Sequence, residues 1–339
     1  MINKSSKFLI VDYGNWLSSD IFHFLNANSL HVKYSINIQY NFLFRLIRLF
    51  FTIFGRRNHF HDFRRLLEFF LLDILSIFQI IFYRPNTFFF LKDQILLSVF
   101  LAKILRIKTV CIFGNRHIRY DYHIKSSFRK IYIGLEDLQI SLSDLIICES
   151  SFVKKSIKHK NVLVIHSFEF FSCINSVEKL RSNNDVKNIL FVDGDARKGR
   201  EFVIPIIPHL PNNFKMTVIN GVGYDKFKDL IHLPLMSKPL FLNLLDSFDL
   251  VIIPTWSDGG PRLFFESLAR SIPVIISSNS ACPDLFSIPI VFPVPLSSNS
   301  LLRSIRELPP IAINTKIFSK KSLVDIIRTQ QLNFLNSIQ

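Results

Sequence analysis

A chain of 339 residues with 49% hydrophobic content can bury a sizeable core and is long enough for two domains of common size. Its net charge of +15 is concentrated in residues 1–180, where 24 Lys and Arg face 13 Asp and Glu, whereas the remainder has 17 against 13. The basic excess is interleaved with core-like apolar residues and matches no nucleic-acid-binding motif. This argues against a nucleic-acid partner and leaves an anionic membrane surface or phosphorylated substrates.

Lys7 to Val11 reads as a buried first strand, an apolar run too short before Asp12 for a secretory leader. A turn over Asp12 to Trp16, with Gly14 inside it, leads to a helical stretch from about Ser18 to Ala27. Residues 41–84 carry Arg45, Arg48, Arg56, Arg57, Arg64, Arg65 and Arg84 against Asp62, Glu68 and Asp73. Two readings stay open there: basic amphipathic helices in the headgroup region of an anionic membrane, or core-packing helices with solvated arginine faces. A spanning helix is disfavoured by Glu68 and Asp73, because each charge near the centre of a span costs about 2.5–3.5 kcal/mol on insertion scales.

Thr87–Leu91 then reads as a strand, Gln94–Leu105 as a helix and Thr109–Phe113 as a strand, an alternation that implies βαβ units in a parallel sheet. His117 follows that strand's carboxyl end. Leu145–Cys148 is a further strand, with Ser150 or Ser151 capping the next helix, and Asn161–Ile165 another. The polar stretch Asn175–Asp185 reads as a linker, after which residues 188–207 restart a strand, turn and helix. Lys215–Asn220 is a strand followed by Gly221-Val222-Gly223, Pro239–Ser247 a short helix, and Ser319–Asn336 a final helix. Cys111, Cys148, Cys173 and Cys282 show no CxxC pair and no metal-ligand spacing, as expected of reduced, mostly buried thiols in a cytoplasmic chain. Neither a Gly-x-Ser-x-Gly nor a Walker sequence occurs, which removes the most recognisable hydrolase and P-loop readings.

Residues 254–286 organise the rest. The buried run Leu250–Ile253 ends at Asp258, Gly259 and Gly260, and Pro261 opens a helix at a first-turn position where its missing N–H costs nothing. Exposed N–H groups at such a helix mouth suit an anionic or hydroxyl-rich ligand. Glu266 places a second carboxylate in the early turns, and two acceptors on one rim suit polyol hydroxyls. Pro273–Ile276 follows as the next strand.

This stretch resembles the donor-binding motif of the retaining GT-B glycosyltransferases of family 4 (glycosyl transferases group 1), in which two acids separated by seven residues flank a glycine-rich turn ahead of Pro-Val-Ile. Asp258 stands where that motif has its first Glu, and Glu266 matches the second. The resemblance covers most of residues 87–286. It implies an α/β, GT-B architecture of two Rossmann-like domains facing a cleft: an acceptor-side domain over 1–174, the linker 175–185, a nucleotide-sugar-binding domain over 186–318, and a terminal helix over 319–339 returning to the first domain.

It also implies roles. In the family the first acid faces the donor sugar and the second the nucleotide ribose, and the loop after the second domain's first strand supplies Arg and Lys to the donor diphosphate. Lys198 with Gly199 matches that Lys-Gly, whereas the Gly-Arg is missing and Arg197 stands in as a second cation. The implied catalytic residues are Asp258, Lys198 and His117, the last alternatively a solvated loop histidine. The implied donor-binding residues are Glu266, Gly259, Gly260, Pro261, Arg262, Arg197 and Gly14, the last alternatively a plain turn glycine. Asp193-Gly194-Asp195 also spells the Asp-x-Asp with which GT-A enzymes hold Mg²⁺ or Mn²⁺. The motif downstream favours GT-B, in which no metal or other cofactor is required. The expectation is a retaining glycosyltransferase moving a sugar from a nucleotide-sugar donor to a glycan or lipid-linked acceptor in cell-surface polysaccharide biosynthesis, with peripheral contact at the inner face of an anionic membrane. The alternative is a catalytically inactive partner subunit that binds a nucleotide or glycan.

Overall fold

The computed structural model describes residues 7–11, 21, 25, 31–35, 58–91, 96–113, 129–166, 187–194, 198–221, 223–256, 261–280, 285–308 and 320–338. The chain divides into two compact units, Met1–Phe168 with Ile327–Gln339, and Glu169–Ile326. The linker read at 175–185 lies outside the described residues.

The first unit holds β1 (Lys7–Val11), β2 (His31–Ser35), α1 (Asn58–Tyr83), β3 (Thr87–Leu91), α2 (Leu97–Ile104), β4 (Lys108–Phe113), α3 (Arg129–Leu142), β5 (Leu145–Cys148), α4 (Ser151–Ser156) and β6 (Val162–Val164). Its sheet has the order β2-β1-β3-β4-β5-β6, with every pairing parallel. Buried on both faces, such strands read as unbroken apolar runs, as in TFFFL and LIIC. The two-residue period divides them between two cores. Leu9, Phe88, Phe90, Cys111 and Ile146 join Leu72 and Ile80 of α1 and Val99 of α2. Phe8, Ile10, Phe89 and Ile112 instead meet Phe334 and Ile338 of α9 (Lys320–Ile338). Lys108 Nζ donates to the Ser337 carbonyl at 2.6 Å, and the His166 N–H to Gln330 Oε1 at 3.0 Å, so the end of α9 is tied in by polar bonds as well. Ser150 is the residue that caps α4, its hydroxyl accepting the Val153 N–H at 3.3 Å.

The second unit holds β7 (Lys187–Val192), α5 (Arg200–Val203), a 3-10 turn (Ile204–His209), β8 (Phe214–Ile219), β9 (Ile231–Leu233), α6 (Lys238–Leu245), β10 (Leu250–Ile253), α7 (Arg262–Ala269), β11 (Val274–Ser277), β12 (Val291–Val294) and α8 (Ser298–Arg306). The order is β12-β11-β10-β7-β8-β9, again all parallel, which is the arrangement of Rossmann-type nucleotide-binding sheets. Its two halves diverge between β7 and β10.

Strands β1, β3, β5 and β10 occupy the residues read from the sequence, whereas β2, β9, β12 and α8 are absent from that reading, although the Ser297 cap and the i, i+4 pair Leu301 and Ile305 of α8 are a visible helix signal. Two of those strands are short edge strands with polar residues, HVKYS and IHL. The third, VFPV, contains Pro293, which an edge strand tolerates because no further strand needs its N–H.

Candidate active site

At the carboxyl ends of β7 and β10 the chain departs in opposite directions along the sheet, and such a switch point leaves a crevice. Two loops flank it. The one leaving β7 carries Asp193, Gly194, Lys198 and Gly199 into α5; the one leaving β10 carries Pro254, Thr255 and Trp256 toward Pro261 and α7. Gly199 joins them. Its φ is +77°, and a Cβ there would lie 1.8 Å from the Pro254 carbonyl oxygen, so only glycine fits the close approach. That contact brings the half-buried Lys198 beside the exit of β10.

The β7 loop is held by an ion pair. The buried Asp193 accepts from Arg200 Nε at 2.6 Å through one carboxylate oxygen and from the Gly194 N–H at 2.7 Å through the other. The hydrogen bond to Asp193, partly offset by burial, raises the Arg200 guanidinium further above its ordinary value. Burial pushes the Tyr224 phenol well up, and the Asp193 charge adds to the effect, so this ring stays neutral. With both oxygens engaged inside the fold, Asp193 is a turn-forming residue, and its partner in the Asp-x-Asp reading, Asp195, lies outside the described residues.

On the β10 side, the Thr255 and Ser280 hydroxyls hydrogen-bond at 3.1 Å. Trp256 donates its indole N–H to the Glu201 carboxylate while its ring packs on Phe202 with centroids 5.1 Å apart. Pro261 takes the N-cap of α7 (φ −64°, ψ 118°), one position earlier than the first-turn placement read from the sequence. The correction has a simple cause: the ψ of Pro261 is extended, so the first residue with helical geometry is Arg262. Phe264, Phe265 and Leu268 bury one face of α7. Arg262 and Glu266, four residues apart, therefore share the half-buried opposite face one helical turn from its start. Arg270 supports the far end, its guanidinium donating to the Glu266 carbonyl at 3.2 Å and forming an ion pair with Asp246 at 3.0 Å.

No protein-family model and no curated protein matches the sequence. Solved structures do resemble it in three dimensions. Sucrose-phosphate synthase from Thermosynechococcus elongatus superposes with a TM-score of 0.65 at 12% identity, over 97% of this chain and 99% of that one. Anabaena HepE in complex with UDP and glucose gives 0.61 at 14% identity, over 98% and 100%. UDP-GlcNAc 2-epimerase from Neisseria meningitidis bound to UDP-GlcNAc gives 0.56 at 11% identity, over 97% and 99%. The chain has the GT-B fold.

Within this GT-B chain, Lys198 stands on the β7 loop, Pro261 caps α7, and Arg262 and Glu266 stand on its first turns, all on the carboxyl side of one sheet. Asp258, Gly259, Gly260 and Arg197 lie outside the described residues, as do Gly14 and His117 of the first unit. Sequence reading missed Arg200, Tyr224 and the Trp256–Phe202 pair. A tryptophan directly at a strand exit ahead of a diglycine was a visible signal; the Asp193–Arg200 pair, spanning a turn of unknown path, left none.

Proposed function

We propose that this GT-B chain is a retaining glycosyltransferase that moves a sugar from a nucleotide-sugar donor to a glycan or lipid-linked acceptor in cell-surface polysaccharide assembly. The observation that carries the reading is the coincidence of Lys198 and the Arg262–Glu266 face of α7 at the β7/β10 switch point. The UDP in HepE and the UDP-GlcNAc in the Neisseria epimerase are ligands of the kind such a crevice accommodates.

In this mechanism the bond between the anomeric carbon and the diphosphate oxygen breaks, negative charge collects on the leaving diphosphate, the acceptor hydroxyl oxygen bonds that carbon on the same face, and the hydroxyl proton passes to the departing phosphate oxygen. Lys198, with Arg197, stabilises that charge, while Glu266 accepts hydrogen bonds from the ribose hydroxyls. Asp258, Gly259 and Gly260 position the sugar and phosphates, Pro261 and Arg262 shape the helix mouth, and Gly14 and His117 act from the acceptor-side unit. Side-chain cations carry the counter-charge, so the proposal includes no metal.

A panel of nucleotide sugars, assayed for transfer and donor hydrolysis, tests it. Lys198→Ala should lower kcat by about 10²–10³-fold with the fold intact. Glu266→Ala should raise the donor KM. Full activity in both variants would remove the assignment. Asp258 in place of the motif's Glu, and the missing Gly-Arg, favour a second reading, a non-catalytic nucleotide-binding subunit. Thermal stabilisation by UDP without turnover on any donor would select it.

A further inference from the structure

Helix α1 buries polar groups beside its core residues Leu72 and Ile80 and leaves much of its apolar surface outside. Over residues 67–83 its only carboxylates, Glu68 and Asp73, are buried, as is Ser76, whereas Phe70, Phe78 and Ile81 are about half exposed and Ile74, on the same stripe at i, i+4, i+8 and i+11, is half-buried. Phe82 beside them is 82% exposed. The neighbouring α2 repeats the pattern: Ser98, Val99 and Ala102 face inward, and Leu97, Phe100 and Ile104 outward, the last 76% exposed.

The inward polar groups have a structural task. Asp73 accepts the N–H groups of Leu96, Leu97 and Ser98 at 2.7–3.0 Å, completing the start of α2, whose own N-cap residue offers no side-chain bond. Meeting that demand turns the opposite, wholly apolar side of α1 outward. The result is a continuous two-helix apolar face without a charged residue among those named, far from the isolated surface hydrophobes of an ordinary protein.

We propose that this α1/α2 face lies on an anionic lipid surface, with the aromatic and aliphatic side chains entering the boundary between headgroups and acyl chains. Charge complementarity selects this occupant. Both helices return to adjacent parallel strands, β3 and β4, so their carboxyl ends sit at the same sheet edge. There the exposed Arg84 and Arg106 border the apolar face. The acid in that corner, Asp144, is already paired with Lys103 at 2.6 Å. A second copy of a chain with net charge +15 would meet like charge, whereas anionic headgroups supply the opposite sign. No described helix is long and apolar enough to cross a membrane, so the contact is with one leaflet. The proposal is independent of the transfer chemistry above.

The test is sedimentation of the full chain with vesicles of phosphatidylcholine alone or mixed with phosphatidylglycerol. The wild type should pellet with the mixed vesicles at low salt and be released by high salt. The triple variant Phe78→Ser, Phe82→Ser, Ile104→Ser should lower the bound fraction about tenfold on the mixed vesicles. Arg84→Glu with Arg106→Glu should abolish the preference for phosphatidylglycerol. All five side chains are exposed, so melting temperatures should stay near that of the wild type, and Phe82→Trp fluorescence should be quenched by brominated lipid. A wild type that stays in the supernatant, a triple variant that pellets as the wild type does, or a dimer that the triple variant dissolves without any vesicle binding would each overturn the proposal.

Discussion

The two units repeat one architecture, six parallel strands with helices returning across them, yet one helix of each faces water differently. In the second unit α8 buries Leu301 and Ile305 and turns Arg303, paired with the exposed Glu307 at 2.8 Å, to solvent. In the first unit α1 buries Glu68 and Asp73 and exposes Phe78 and Phe82. The βαβ unit therefore fixes where a helix lies without fixing which chemistry faces outward. That choice follows local demands, a carboxylate for a bare helix start in one unit and ordinary apolar burial in the other.

Truncations of a phenylalanine on each side sharpen this contrast most. Phe264→Ala, in the core behind α7, should cost about 3–5 kcal/mol, because a fully buried aromatic leaves a cavity. Phe82→Ser should stay within about 0.5 kcal/mol of the wild type. Urea denaturation of both variants gives the comparison, and a large loss for Phe82→Ser would show that α1 is covered within the protein. Next in size, Gly199→Ala should cost about 2–3 kcal/mol, since the left-handed backbone and the Pro254 carbonyl both resist a Cβ. Reduced UDP stabilisation should accompany it, read by thermal shift, and wild-type melting would mean that the two loops separate freely.

Asp73→Ala strands three backbone donors at the start of α2 and should cost about 1.5–3 kcal/mol, with Asp73→Asn recovering part. Hydrogen exchange of the amides of residues 96–98 localises the loss. An unchanged rate there would break the account of why α1 turns polar groups inward. The smallest effect concerns Asp144. Burial pushes its carboxyl up, but the hydrogen bonds from Lys103 and Thr109 outweigh it and hold the group below its ordinary value. Its contribution is thus present above the ordinary carboxylate range and lost as pH falls through the lowered folded-state value. Asp144→Asn should cost under about 1 kcal/mol at pH 7, the pair being partly solvent-screened, with the difference closing in strong acid. A gap independent of pH would assign the effect to shape.

Much of the scaffold was legible because parallel strands buried on both faces leave unbroken apolar runs; Thr87–Leu91, Leu145–Cys148 and Leu250–Ile253 needed no tertiary knowledge. Of the site, Lys198-Gly199 and Arg262 to Glu266 could be named as residue types suited to a phosphorylated, hydroxyl-rich ligand. Their shared location could not. It depends on β7 and β10 being neighbours, with the Asn188 N–H bonded to Asp249 at 2.8 Å across 61 residues of sequence, and on Gly199 lying against Pro254.

The sequence by itself determined the alternation of strand and helix, the concentration of basic charge in the first half, and the chemical types available at the turn before α7. Only the tertiary structure decided the side on which β10 joins the second sheet and the face that α1 turns outward. Hydrophobic periodicity records how apolar and polar positions are spaced along an element, whereas sheet order and facing depend on partners distant in the chain. For α1 the deciding partner was a set of backbone N–H groups 23 to 25 residues beyond Asp73, which drew the polar side in.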